Sequence, residues 1–507
     1  MTKQRLTMMT PKPPTPPLPL EYRVGSRFLP TEGLATWRRA LMVIAALGLG
    51  ACADFSGVAP QARMTEPQDL GLGARTAASS TTTPAPTPWW TQFGDAQLNV
   101  LVVQALQNSP SVKLARARVD RAIALMAINR SAELASVSGS ADATSQRFSA
   151  NGIYPPPLAG KVFDTANTQL TAIYEWDLFG KNRTQLDAAM GQARAAQADA
   201  QVAQLMLATQ VTRGYVAMQR LYALQQLAQA NLAQREQLLA LSRQRLQAGL
   251  DSAQELAANE ASLPDLRQYA ESLREQTAIA RNALAALTGQ PLGLNDLQPA
   301  PLDTLKAVAI PGAVAMDLLA NRPDIAAARA RVEASLGEVG VAKALFYPNI
   351  NLVAFAGLNS IGFDRITHAG SEQWGVGPAV RLPIFDAGRL RAQLQGKSAE
   401  VDMAIETYNG LLIDAVREVA DQIAALQSIR IQRMEQQTAQ ASAQTVYDIA
   451  NQRFNAGLSS RISALSAQSQ VLAQQRQAIE LHARALDAQA LLMRATAGSL
   501  ALGALAP

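Results

Sequence analysis

The sequence predicts a mainly helical protein made of two similar halves, each of which also contributes two β-strands. The run NSPSVKLARARVD at Asn108 recurs as NRPDIAAARARVE at Asn321, and RLQAGL at Arg245 recurs as RFNAGL at Arg453. Each half also holds one stretch of helix-forming residues that is too long for a globular core, and two segments in which apolar and polar residues alternate. Repetition in one fixed order indicates a duplicated plan of elements.

The composition supports long helices and argues against several classes of site. Aromatic residues make up only 5% of the chain, which favours thin helical packing. The net charge is +5, but Arg and Lys are spread along helical faces, so nucleic acid is not an expected partner. The two histidines, His368 and His482, lack Cys or acidic neighbours at ligand spacing in the sequence. We therefore expect no metal, no cofactor and no enzyme activity.

The N-terminal region has the features of a bacterial lipoprotein signal. A positive segment, Trp37-Arg38-Arg39, precedes the apolar residues 40–47, which are too few to span a bilayer. The following Leu49-Gly50-Ala51-Cys52 resembles a lipobox. By that resemblance the chain is cleaved before Cys52, which is acylated and anchors the protein in lipid. Ala53, in place of Asp, favours the outer membrane; a buried structural cysteine is the alternative reading of Cys52.

Changes of composition divide the chain into five expected parts. Residues 1–36 lie upstream of a normal signal peptide and are assigned no fold, and residues 79–88 form a Ser/Thr/Pro-rich tether. The parts are the upstream extension and signal peptide (1–51), the lipidated N-terminus and tether (52–88), the first repeat (89–300), the second repeat (301–500) and a short C-terminal tail (501–507).

Each half is expected to begin with a helix and two strands. In the first half the helix covers residues 96–130, and the strands cover residues 135–144 and 170–178. In the second half residues 350–358 and 374–384 alternate. The apolar positions of the last three strands are Leu170, Ala172, Tyr174, Trp176 and Leu178; Ile350, Leu352, Ala354, Ala356 and Leu358; and Trp374, Val376, Val380, Leu382 and Ile384. A transmembrane β-barrel and a soluble sandwich both fit this alternation.

Each half continues with one very long helix. Residues 181–248 contain no proline and would extend roughly 100 Å, and residues 390–456 are their counterpart. A heptad register in the first of these helices indicates a seam against a neighbouring helix, although Gln225, Arg235 and Ser242 interrupt it. Its apolar positions are Val211, Gly214, Met218, Leu221, Ala228, Leu232, Leu239 and Leu246.

A glycine ends each long helix. Gly249 and Gly457 stand where a left-handed C-cap is expected, and a returning helix follows each. Candidate N-caps of the returning helices are Asp251 or Ser252, and Ser459 or Ser460. Leu250 and Leu458 would then be exposed at the two helical tips, which suggests a docking partner.

Taken together, these features resemble the TolC-like outer membrane factors, and the lipobox points to the NodT-type lipoproteins that serve RND-class efflux systems. The resemblance covers about residues 89–500. Its motifs, in the family's order, are WTQFGD (90–95) with Leu98, YEWDLFG (174–180), NRPDI (321–325), FYPNINL (346–352) and LPIFDAGR (382–389).

The resemblance implies a homotrimer in which each chain gives four strands to one twelve-stranded barrel in outer membrane lipid, continued by a periplasmic helical tunnel. The implied function is the outer membrane channel of a tripartite efflux system, a passive exit duct for small molecules. A periplasmic adaptor would recruit it to an inner-membrane RND pump. Independently of the resemblance, four strands in a bilayer require partner chains. A four-stranded sheet has two open edges, and each backbone N–H or C=O group left unpaired in hydrocarbon costs several kcal/mol.

The resemblance also implies site residues. Adaptor contacts are expected at Gly249, Leu250, Gly457, Leu458 and Ser460. The periplasmic aperture is expected at Ile462 and Ser466, where the family's usual aspartate is absent, so an apolar constriction is expected in place of a cation site. Ordinary coiled-coil packing of Ile462 is the alternative.

Two other functions stay open at this point. A duct for type I protein secretion would have the same fold, and its gene would lie beside an ABC exporter. A periplasmic coiled-coil lipoprotein that forms no pore would share the helices and the anchor, but would give no conductance.

Overall fold

The structure is a computed structural model that describes residues 55–65, 88–290, 297–306 and 322–497. The predicted signal peptide, Cys52 and the tether up to Thr87 lie outside the described residues. Helices and strands of the described residues are numbered in chain order.

The same order of elements occurs in both halves. The first half contains α1 (Ala96–Asn108), α2 (Pro110–Ser131), β1 (Ser136–Arg147), β2 (Val162–Trp176), α3 (Lys181–Gln247) and α4 (Ala253–Thr288). The second half contains α5 (Pro323–Ala344), β3 (Asn349–Ile361), β4 (Glu372–Arg381), α6 (Arg389–Asn455) and α7 (Arg461–Ala495). The long helices α3 and α6 both have 67 residues, so both predicted rods are confirmed to within two residues of their ends.

The single helix predicted over residues 96–130 is wrong, because two helices meet at Ser109. Ser109 has an extended ψ of 130°, and Pro110 is the first residue of α2. Proline lacks an N–H and disfavours a helical conformation of the residue before it, so a continuous helix ends there. Pro323 likewise begins α5, and the repeated Asn-x-Pro motif therefore marks a helix start in each half.

The four predicted strands are confirmed, with different ends. β2 begins at Val162, well before the predicted residue 170, because its first part is rich in polar residues. β4 ends at Arg381, and Pro383 beyond it could not donate to the ladder. The predicted face positions that lie outside the strands are Leu178, Leu382 and Ile384.

The strands form one antiparallel sheet in the order β1-β2-β3-β4. The central pair, β2 with β3, joins the two halves, and its register runs from Trp176 opposite Ile350 to Thr165 opposite Ile361. β1 and β4 are therefore the two edges of this sheet.

Helix α3 is the centre of the helical packing. It packs on α2 and α4 of its own half and on α5 and α7 of the other. Ion pairs of Arg213 with Asp487 (2.6 Å) and of Arg220 with Glu480 (2.9 Å) join α3 to α7. None of the helices in the described part of the chain is long and apolar enough to cross a bilayer.

The predicted heptad seam of α3 is confirmed by burial of Val211, Met218, Leu221, Ala228 and Leu239. Two of the polar residues that interrupt the seam are bound by the returning helix α4. Gln225 donates to the carbonyl of Leu273 at 3.0 Å, and Ser242 lies 2.9 Å from the amide nitrogen of Asn259, from which it accepts. These bonds supply partners that burial would otherwise remove.

A partly buried cluster of charges, with Arg322 at its centre, fixes the start of α5. Arg322 forms ion pairs with Asp324 (2.7 Å) and Glu418 (3.1 Å), and it donates to the carbonyl of Ala495. Arg494 also pairs with Glu418, at 3.0 Å. Burial alone would raise the pKa of Asp324, but the hydrogen bond and charge of Arg322 lower it below its ordinary value. Each charge has a partner, which offsets the cost of burying it. The partners lie at the start of α5, on α6 and on α7, so the ion pairs join these three helices.

The N-terminal strap, residues 55–65, lies along α6. The backbone N–H groups of Gln61 and Ala62 both donate to one carboxylate oxygen of Asp402, at 2.7 and 2.8 Å. Bonds to a charged acceptor are stronger than neutral ones, so Asp402 attaches the strap to the helix.

Candidate functional site

One face of the four-stranded sheet is apolar and exposed. The register places the predicted apolar positions of the strands opposite one another, with Ala354 between Ala172 and Val376. Trp374 is 78% exposed and Leu170 is 62% exposed. The face consists of Val137, Leu170, Ala172, Tyr174, Trp176, Ile350, Leu352, Ala354, Ala356, Trp374, Val376 and Val380. Hydrocarbon would solvate such a face, whereas water would not.

The opposite face of the sheet carries amide side chains that hydrogen-bond across the strands, and Ile173, Val353 and Phe355 also lie on it. Gln373 donates to the side-chain oxygen of Asn167 at 2.8 Å, and Asn349 donates to Glu175 at 2.7 Å. Lys181, the first residue of α3, lies 2.5 Å from the same Glu175 carboxylate. Polar groups of this kind need water or one another, so this face is the more polar of the two sides of the sheet.

Part of this face lies outside the strand that the sequence predicts. Asn167 and Gln169 precede the predicted start of the strand, yet they continue the alternation of Thr171 on the same side of β2. The alternation of amide side chains is the one signal in the sequence that marks these two residues as part of a strand. It is a weak signal, because amides are uncommon in strands and add no apolar residue to the alternating pattern.

The first tip, residues 243–260, joins α3 to α4 through a Schellman turn. The N–H of Leu250 donates to the carbonyl of Arg245 at 2.8 Å, and the N–H of Gly249 donates to that of Leu246 at 3.0 Å. Gly249 has a φ of 70°, which confirms the predicted left-handed cap.

The second tip, residues 451–468, repeats this turn between α6 and α7. Leu458 donates to the carbonyl of Arg453 at 2.8 Å, and Gly457 donates to that of Phe454 at 2.9 Å. Gly457 also has a φ of 70°. The two tips are therefore built by the same hydrogen bonds at equivalent positions.

The tip leucines are exposed, as predicted. Leu250 is 66% exposed and Leu458 is 70% exposed. Of the candidate N-caps, Ser252 caps α4 in a reciprocal capping box with Glu255. Ser460 occupies the N-cap position of α7, but its side chain makes no capping hydrogen bond. Its hydroxyl lies 3.2 Å from that of Ser463.

An ion pair closes the first tip. Arg245 lies 3.1 Å from Asp251 and also donates to the carbonyl of Leu250. The hydrogen bond from Arg245 lowers the pKa of Asp251 below its ordinary value. The contact is therefore present above the ordinary pKa of an aspartate and is lost as pH falls through the lowered one.

The two predicted aperture residues lie in the first turns of α7. Ile462 is half-buried and Ser466 is exposed. Residues four apart share a helix face, so both side chains lie on the same side of α7, next to the second tip.

The structure brings one acidic side chain to a histidine that is isolated in sequence. His482 Nδ1 lies 3.3 Å from a carboxylate oxygen of Asp303. Burial lowers the pKa of His482, and nearby Arg433 lowers it further. Within the described ranges, no group of three or more His, Cys, Asp or Glu residues could hold a metal ion.

Comparisons with known proteins match both halves. A family model described as "Outer membrane efflux protein" matches residues 101–290 and 314–498. The chain is 38% identical over 370 residues to "Fusaric acid resistance protein FusA" of Burkholderia cepacia, covering 71% of this chain and 69% of that protein. It is 31% identical over 418 residues to "Putative multidrug resistance outer membrane protein MdtQ" of Escherichia coli, covering 81% and 87%.

A solved structure has the same fold. The crystal structure of the outer membrane protein VceC from Vibrio cholerae matches with a TM-score of 0.72 at 31% identity, covering 82% of this chain and 99% of that one.

Replacing Gly249 or Gly457 by Ala should loosen the end of the long helix. The left-handed conformation costs an L-residue about 1–2 kcal/mol, and no atom within 4 Å meets the added Cβ, so the backbone alone bears the cost. We expect roughly tenfold faster hydrogen exchange at the amide of Leu250 or Leu458. Gly249→Asn and Gly457→Asn are the matched controls and should change exchange less, because Asn tolerates this conformation. Unchanged exchange in the Ala variants would contradict the assignment.

Proposed function

The chain belongs to the outer membrane efflux protein family and is the outer membrane component of tripartite efflux, and we propose that it acts there as a trimeric, passive exit duct. A periplasmic adaptor recruits it, and an inner-membrane RND pump supplies the energy. The names of its relatives, which refer to resistance to fusaric acid and to multiple drugs, support small molecules as the exported class.

The two-sided sheet is the observation that carries this proposal. An exposed apolar face backed by a hydrogen-bonded polar face suits a wall between lipid and a water-filled lumen. The open edges β1 and β4 can then be satisfied by β4 and β1 of neighbouring copies. Three chains give twelve strands, the number that the family resemblance implies. The shared order of elements supports an origin of residues 89–300 and 301–500 by duplication.

The channel and its aperture are tested together in planar lipid bilayers. Purified trimers should show low conductance that Ile462→Ser raises several-fold, because a polar side chain lets water enter an apolar constriction. Ile449→Ser, which alters an exposed isoleucine of α6, is the matched control and should leave conductance unchanged. Monomers without conductance would rule out the channel, whereas equal conductance of both variants and wild type would rule out only the aperture.

The exposed leucines of the two tips form the adaptor-docking surface, together with Gly249, Gly457 and Ser460. Their positions at the ends of both helical hairpins support this role, because exposed apolar groups at the tip of a rod gain from burial against a partner. Ser460 adds a hydroxyl that its own helix does not use as a cap.

Replacing Leu250 or Leu458 by Asn should weaken adaptor docking while the trimer persists, because Asn has a similar shape to Leu but loses the apolar contact. The measurement is drug susceptibility of a deletion strain that carries each variant, with trimer content checked on native gels. Susceptibility that stays at the wild-type level in both variants would argue against the tips. Met434→Asn, at an exposed position in the middle of α6, is the control.

Lipidation of Cys52 anchors the chain in the outer membrane. Phe55, the first described residue of the strap, follows Cys52 closely in sequence, and its ring meets Phe346 edge-on at a centroid distance of 5.9 Å. Phe346 lies three residues before Asn349, the first residue of β3, so the strap comes close to the start of this strand. This position suits an acyl chain that enters the same bilayer as the strands.

Changing Cys52 to Ser should abolish incorporation of labelled palmitate, because the hydroxyl cannot take the place of the thiol that receives the diacylglyceryl group, and the cleavage and N-acylation that depend on this step are then lost too. Palmitate label that remains in the variant would exclude the lipobox assignment. Cys52 is the only cysteine of the chain, so the label has no other thiol to occupy.

A further inference from the structure

The two tips of one chain have the same backbone but opposite charge. The first tip contains two arginines and three carboxylates, whereas the second tip contains two arginines and no carboxylate. The carboxylates of the first tip are Asp251, Glu255 and Glu260, and the residues at the equivalent positions of the second tip are Ser459, Ser463 and Gln468. No Asp or Glu occurs between residues 449 and 479.

In the first tip both arginines are already paired. Arg245 pairs with Asp251 at 3.1 Å, and Arg243 pairs with Glu260 at 2.9 Å. Since each guanidinium already contacts a carboxylate of its own hairpin, an approaching protein meets no uncompensated positive charge there.

In the second tip, Arg453 is the residue equivalent to Arg245, and its guanidinium is available to bind a partner. Arg453 is exposed, and no ion pair is found for it within the part of the chain that the structure describes. Arg461 lies over the ring of Phe454, 5.2 Å from its centroid, and donates to Asn451 at 3.4 Å. The cation–π contact holds Arg461 without neutralising it. The second tip is therefore a positive surface beside the exposed Leu458.

We propose that the second tip binds a carboxylate at the tip of the adaptor's helical hairpin through Arg453, whereas the first tip, which has one carboxylate in excess, offers that partner apolar contact and no unpaired guanidinium. The inference rests on the proposed docking function. A guanidinium presents a planar fork of donors that matches a carboxylate, and Leu458 supplies apolar contact next to it. The two tips therefore contact different regions of the adaptor. Charge complementarity directs the carboxylate of the adaptor hairpin to the second tip and away from the first.

The probe is a set of three stapled helical-hairpin peptides, identical except for Glu, Gln or Lys at the tip. Each is titrated against the full-length trimer in detergent at low salt and at about 0.5 M salt, where screening shortens the reach of exposed charges to a few Å. The Glu hairpin should bind about three- to fivefold more tightly than the Gln hairpin, as expected for one exposed ion pair, and the Lys hairpin should bind most weakly. High salt should remove these differences.

Arg453→Gln should abolish the preference for Glu. Arg476→Gln, at an exposed arginine further along α7, removes the same charge away from the tip and should leave the preference intact. Arg245→Gln should leave the Glu preference in place and improve binding of the Lys hairpin, because it exposes Asp251. A Glu preference that survives in Arg453→Gln would overturn the inference.

Leu458→Asn separates the charge from the docking itself, because it is neutral. If the Glu and Gln hairpins bind wild-type protein equally and Leu458→Asn weakens both, tip docking stands and the role of Arg453 falls. If no hairpin binds wild-type protein at either salt concentration, both proposals fall.

Discussion

The constraint on which the structure depends is a sheet that has one apolar face and two unpaired edges. The backbone groups on the outer edges of β1 and β4 have no partners in the sheet of one chain, and in hydrocarbon each would cost several kcal/mol. Copies of the same chain can supply the missing partners when β1 of one meets β4 of the next. In the proposed trimer, closure of the barrel also gathers the long helices α3 and α6 of every copy beneath it, so a tunnel follows from the same pairing.

The long helices are held together without a large apolar core, because the thin helical packing leaves little room for large apolar side chains. At Gly337 an added Cβ would lie 2.9 Å from that of Ala188, and at Gly191 it would lie 2.9 Å from that of Ala334. Helices α3 and α5 therefore approach as closely as their backbones allow, and dispersion between small residues replaces a large core. The paired charges around Arg322 add a directional contact where apolar area is scarce.

Elements that are marked by the periodic spacing of apolar residues, or by the positions of proline and glycine, could be predicted from the sequence. The long helices are predictable because neither contains proline and each ends at a glycine, and the strand faces are predictable because apolar residues alternate. The break at Ser109 differs from the prediction because the Asn-x-Pro motif starts a new helix inside a run of helix-forming residues. The early part of β2 is not predicted because Asn167 and Gln169 carry no apolar signal. The partner of His482 is Asp303, which lies far away in sequence, and only tertiary packing brings the two together.

The central pairing of β2 with β3 has a consequence for the time course of assembly. Glu175 lies opposite Asn351 in this pair, and the whole of α3, α4 and α5 stands between them in the chain. Closing so long a loop carries an entropic cost that has to be met before the first ladder bond forms. The hairpin of α3 and α4 is local by comparison. The α3–α4 hairpin would therefore form before β2 meets β3, and insertion of the sheet into the bilayer would wait at least until β4, which ends at Arg381, has emerged.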